Sequence, residues 1–325
     1  MKRSFWPSVA LPLIIFSLSA CTDSELRDGV SRFNNAVQSS LSSIKTTYGN
    51  VNDQIRHRYF EELLLTPGMK AEEVDTSMIN HYSDDYIQAR LLAFNALASY
   101  TAGLASLASS TAPADAEAAI QATGNKLSTL STQIQALTKS SKNLQVAQFS
   151  TPISQLVGLL ADQLLEMAKD NYLRQDLKQS NKSVDDLCQA LEDDLNEMAN
   201  VASLPQAEKI LALYRLQYNG DPKLLSGPAT DGLRASFLKD YETAAKDAAD
   251  ITATNAAPLV EQIRTVHNKL IQYLEARQSK SKFSLHGRPA TEGTQIAASL
   301  SSDLNDFEAE ATSLANAVNR IPTIK

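Results

Sequence analysis

Cysteine, glycine and histidine are all scarce in this chain, and each scarcity removes a class of function. Two cysteines among 325 residues, Cys21 and Cys188, cannot make a disulfide framework. The 11 glycines are scattered among chain breaks and isolated helical positions, and nowhere form the turn that cradles a phosphate. Four histidines, His57, His81, His267 and His286, stand without triad or metal-ligand spacing around them. Serine is plentiful, yet no Gly-x-Ser-x-Gly elbow occurs. The only tryptophan is Trp6, and no alternating run of strand period is present. The expectation is a helical, non-enzymatic chain with no cofactor and no metal.

What is present begins at the first residues. Met1-Lys2-Arg3 is a short cationic start, followed by an apolar stretch from Val9 to Leu18. That stretch is too short to span a bilayer, which needs roughly 20 apolar residues. A cation, a short apolar run and then small residues make the pattern of a secretory signal peptide. Here the small residues stop at a cysteine, in the order Leu18-Ser19-Ala20-Cys21. This resembles the lipobox of bacterial lipoproteins. The resemblance covers about the first 21 residues and implies that residues 1–20 are a lipoprotein signal peptide. It further implies that the Cys21 thiol carries a diacylglyceryl group and that the new amine is acylated. Each buried methylene adds about 0.8 kcal/mol, so two or three chains hold firmly where one does not. Thr22, where an aspartate would favour the inner membrane, implies the periplasmic face of the outer membrane. The competing reading is an ordinary signal cut after Ala20, with an incidental cysteine.

Without residues 1–20 the chain keeps 28 basic and 37 acidic residues, a net charge of −9. That balance argues against nucleic acid, whose phosphates demand a basic footprint. Cys188 lies beside an apolar helical face made by Val184, Leu187, Leu191, Leu195 and Met198. It is expected to be buried and inert, since free cysteine packs like a small hydrophobe.

The rest of the chain reads as helix. Leu26, Val30, Phe33, Val37, Leu41, Ile44, Tyr48, Val51, Ile55 and Tyr59 recur at a mean spacing of 3.67, the helical period. The same spacing returns in Leu127 to Leu137, Leu233 to Ala244, Leu259 to Tyr273 and Ile296 to Val318. Turn and breaker clusters stand at 66–68, 110–115, 150–152, 219–222, 226–228 and 286–289. They predict helices over about 22–75, split or bent internally, then 76–110, 114–147, 152–180, 183–203, 205–218, 229–280 with a bend near Pro258, and 290–319. The predicted fold is all-α, an elongated bundle of long amphipathic antiparallel helices in one domain over 21–325. Two sub-bundles meeting near 219–228 are the second arrangement.

Three segments invite a functional reading. Residues 91–114 carry no charge, and their small and apolar residues surround the helix. Such a helix is central in a bundle or lies in a membrane; the alanine-rich composition predicts the former, and the latter would make the protein pore-forming or membrane-remodelling. In "HYSDDY" at 81–86, His81 and Asp85 would share a helical face as two metal ligands, but no third ligand stands out. Asp84 and Asp85 are better explained by the positive end of a helix dipole. Finally, Ser183 to Ala207 holds six acids and no base, whereas Arg264 to Arg288 holds six bases and one acid. The two stretches either face each other or leave Arg277, Lys280, Lys282, Phe283 and Arg288 as a basic loop for an anionic partner.

These features predict a lipid-anchored envelope protein with a helical binding or scaffold module, whose partners are the membrane through its anchor and another envelope protein. The competing classes are a membrane-active protein using residues 91–109 and a cryptic hydrolase.

Overall fold

The long stripe near the start folds as one helix because its apolar side chains share a face and no proline interrupts it. This is α1, Ser17–Leu65, 49 residues and about 73 Å at ~1.5 Å per residue. Phe33, Ile44, Tyr48, Val51 and Ile55 are all buried along it. In the computed structural model the described residues are 17–66, 68, 74–110, 113–140, 147–165, 172–220, 231–283 and 291–320. All of their regular structure is helical, as the sequence predicts.

A 3₁₀ turn at Thr76–Asn80 leads from α1 to α2, Asp84–Ser109, whose first turn is capped by the Ser83 hydroxyl accepting from the Tyr86 N–H. Then come α3, Pro113–Ser140; α4, Ala147–Leu165; and α5, Tyr172–Glu197. A π-turn at Met198–Ser203 joins α5 to α6, Leu204–Gly220. The last three helices are α7, Asp231–Ala253; α8, Ala257–Phe283; and α9, Thr291–Arg320.

The charge-free helix α2 takes the central position expected of it and packs against α1, α3, α4 and α5. Leu97, Leu104 and Ala93 are fully buried. Small side chains let its neighbours come close. At Gly103 a Cβ would sit 2.3 Å from Thr123 Oγ1 and 2.9 Å from Thr123 Cβ, so only glycine fits against α3 there.

Several boundaries differ from the sequence expectation. The 22–75 segment, expected to be split or bent internally, ends its helix at Leu65, at the Thr66-Pro67-Gly68 breaker, where Gly68 takes a positive φ of 76°. Pro152 does not start a helix; it lies inside α4, held by Phe149, Ile153 and Leu156 in the core. No break occurs at 181–182, because the buried positions Leu177, Ser180, Val184 and Leu187 run unbroken through α5. The segment 229–280 is two helices, not one bent helix. The Asn255 side chain accepts from the Ala257 N–H, and Pro258 falls in the first turn of α8, where it needs no donor.

Not every pair of packed helices is antiparallel. Tyr214 bonds Glu61 and Gln217 bonds the Leu65 carbonyl, so α1 and α6 run in the same direction. Two apolar clusters result. The large one joins α1–α5, α8 and α9, and the small one consists of Leu65, Ile210, Tyr214 and Ala244 from α1, α6 and α7. The flanks of the 219–228 segment both belong to helices of the small cluster; the passage between clusters falls at the π-turn and at 254–256. Residues 221–230 lie outside the described residues.

Candidate functional site

The most concentrated chemistry lies inside the bundle. Arg90 on α2 and Asp194 on α5 form an ion pair at 2.7 Å with both side chains 1% exposed. The guanidinium gives two hydrogen bonds to Asp194 Oδ1, from Nε at 2.9 Å and Nη2 at 2.7 Å. Two phenols complete the carboxylate's shell. Tyr86 donates to Oδ1 and Tyr48, from α1, donates to Oδ2, both at 2.8 Å. The Arg90 guanidinium carbon also lies over the Tyr86 ring, 3.2 Å from its centre, with the centre of the Phe149 ring 5.2 Å away. A buried charge persists only when paired and hydrogen-bonded, and this one is both.

Burial, and then the Asp194 carboxylate, push the Tyr48 and Tyr86 phenols well above their ordinary range. They therefore remain donors at any physiological pH. Tyr82 stacks on Tyr86 at 4.6 Å and is pushed up to about 12, again chiefly by burial. Asn52 of α1 fixes it, donating to its carbonyl at 2.6 Å and accepting from its N–H at 2.9 Å. The cluster thus ties α1, α2 and α5 together around one sealed carboxylate.

A second polar nexus joins α2, α5 and α8. His267 is 1% exposed and shares a 3.0 Å hydrogen bond with the Tyr100 hydroxyl, which in turn meets Ser180 Oγ. Burial depresses the imidazole to about 3, so it is neutral. Serine, tyrosine and histidine here have no route to solvent substrate, since each is buried in a packed helix interface. Cys188 is fully buried and its thiol is pushed far up by burial, as expected of an inert thiol.

The remaining sequence candidates separate. His81 lies in a bend outside any helix, so it does not share a helical face with Asp85; its ring instead meets Tyr82 edge-on. Asp84 and Asp85 occupy the first turn of α2. Among the described residues no group of three metal-capable side chains occurs. The acidic and basic stretches meet at Arg264, which reaches across from α8 to Glu192 at 3.2 Å, Asp185 at 3.8 Å and the Gln189 side chain on α5; Lys269 turns instead to Asp303 and Ser299 on α9. Asp194, from the same acidic stretch, is no solvated residue at all. Arg277, Lys280, Lys282 and Phe283 have helical backbone within α8, so this stretch is not a loop. Their side chains, and the whole of Arg288 and His286, lie outside the described residues. Cys21 has helical backbone in α1, and its side chain also lies outside them.

A depression where the two clusters meet encloses about 30 Å³, room for a water rather than a substrate. Sequence reading missed the Arg90–Asp194 nexus. The signal was present in the spacing, because Arg90 precedes Phe94 and Leu97 by four and seven residues, and Asp194 precedes Met198 by four. Both charges therefore project from apolar faces.

The described residues define an all-α helical protein with a sealed polar interior. Comparison with protein-family models, with curated proteins and with solved structures finds no match to the chain.

Proposed function

We propose that this is a lipid-anchored protein of a bacterial cell envelope, on the periplasmic face of the outer membrane, whose helices form a non-catalytic binding or scaffold module. The observation that carries the reading is Leu18-Ser19-Ala20-Cys21 behind a cationic, apolar start. Two further facts support it. The polar clusters are closed off from solvent, which suits a structural role better than turnover. Exposed large apolar side chains gather on the three helices of the small cluster: Phe60 and Leu64 on α1, Leu216 on α6, Leu233 and Leu238 on α7. Apolar surface held out of the core is a mark of protein contact, and the partner is another envelope protein.

The test is Cys21→Ser with fatty-acid labelling and membrane fractionation. Loss of label and of membrane retention is the expected outcome. Unchanged labelling and retention would refute the anchor. A photo-crosslinker at Leu64 or Leu216, but not on α3, should trap the partner in intact envelopes.

One observation favours the membrane-active alternative: α2 is long and apolar enough to cross a bilayer. Against it, 67% of the relevant window is buried inside the bundle. The core role is the better supported.

A further inference from the structure

We propose that α6 and α7 form an arm hinged at both ends, which swings away from α1. Its use in binding rests on the binding-module reading; the motion itself does not.

The chain enters and leaves this helix pair at two irregular points that lie side by side. Entry is the π-turn Met198–Ser203, where the Leu204 N–H reaches back five residues to the Ala199 carbonyl. Pro205 follows, and its ring and missing N–H oppose a regular α-turn at that point. Exit is the non-helical link 254–256 between α7 and α8. Met198, Ser203, Thr254 and Asn255 line one common depression against Val51 of α1. A side-chain bond, Asn255 Nδ2 to Asn196 Oδ1 at 3.0 Å, clamps exit to entry. Hinges are a few residues at element ends that absorb backbone change, and here two such points lie beside each other.

Within the arm the helices hold each other. Tyr218 meets Phe237 at 5.5 Å and Tyr214 meets Phe237 at 5.4 Å between ring centres. Against α1 the arm is held mostly by polar contacts: Arg58 to Asp247 at 2.6 Å, Lys209 to Glu62, and Tyr214 to Glu61 at 2.9 Å. The apolar seal is the small cluster, with Leu211, Leu213, Phe237 and Tyr241 partly buried against it, and it is separate from the main core. Buried polar atoms without a hydrogen-bond partner include Arg58 Nη1 at this interface and both side-chain amide atoms of Gln206 in the first turn of α6; Asn181, Glu192 and Asp303 hold others in the main body. Few buried apolar contacts place a unit at the low-stability end of a fold. Swinging out hydrates Arg58 and Gln206 and uncovers Ile210 and Tyr214 beside the exposed Leu64 and Leu216, enlarging the apolar surface.

Spin-label distances on the full chain test this, with Cys21→Ser so that only introduced thiols react and with buried Cys188 retained. One pair is Lys239→Cys on the arm with Lys45→Cys on α1; the reference pair is Asn125→Cys with Gln272→Cys in the main body. All four native side chains are exposed. The reference pair should give one narrow distance. The arm pair should give two populations, with the longer one growing in Arg58→Met and in Asn255→Ala while the reference stays narrow. A single narrow arm distance in the parent chain would overturn the proposal. So would an arm distribution that neither substitution moves while the reference pair stays narrow.

Discussion

Arg90 and Asp194, 104 residues apart in sequence, meet at 2.7 Å with both side chains shut off from water. Removing either partner alone leaves an uncompensated buried charge, which costs about 3–5 kcal/mol. Asp194→Leu and Arg90→Met should each lower the unfolding free energy by that order, and the urea midpoint in proportion. The double variant should recover much of the loss, since hydrophobic replacement of a whole buried pair is often neutral. Denaturation of all four proteins yields the coupling. Additive losses would show that the pair does not act as a unit.

His267 gives stability a defined pH dependence. Its folded value of about 3 lies below the ordinary 6.5, so the unfolded chain binds the extra proton between those limits. The stabilisation is fully present above about pH 6.5 and is lost as pH falls towards about 3, amounting to roughly 3–5 kcal/mol over that window. His267→Gln, which keeps a polar partner for Tyr100, should flatten the decline between neutral pH and pH 4.5. Urea midpoints at the two pH values measure it. An unchanged slope would place the acid sensitivity elsewhere.

The centre of the bundle should tolerate neither holes nor extra bulk. Leu97→Ala and Leu104→Ala, both at fully buried positions, should each cost about 2–5 kcal/mol. Gly103→Ala should cost roughly 1–3 kcal/mol, because Thr123 cannot clear the added methyl without moving its own Cβ. Thermal melts read all three. If α2 instead worked in lipid, the leucine variants would melt like the parent and lose leakage from dye-filled vesicles.

Cys188 should resist thiol reagents in the folded protein and react at the ordinary rate in urea, since burial both hides the sulfur and opposes its thiolate. Titration with a chromogenic disulfide before and after unfolding gives the answer. Fast labelling of the native Cys21→Ser chain would contradict the packing of α5 on α8.

The helical character was legible because one period repeats with few interruptions. Leu26 to Tyr59 reads correctly residue by residue, and only Leu41 on that stripe is less than buried. Prolines misled more than any other residue. Pro152 sits inside a helix and Pro258 just after a true break, since local rigidity is weighed against burial that only the fold supplies. The π-turn had no sequence period of its own. Arg90 and Asp194 were detectable as charges on apolar faces, but nothing local tells a charge which distant helix will neutralise it. The Tyr100–His267 contact was hidden for the same reason.

The two ends of the fold are stitched together. Arg32 on α1 donates to Glu308 at 2.9 Å and to Asn305 at 2.6 Å on α9, partners more than 270 residues later. Gly29 likewise presses towards Leu270 and Leu300. α1 therefore packs early on α2 but completes its seat only when α9 arrives. Such long-range closure slows folding and leaves apolar stripes bare in the meantime. Until α9 docks, the face of α1 that receives it stays open and adhesive.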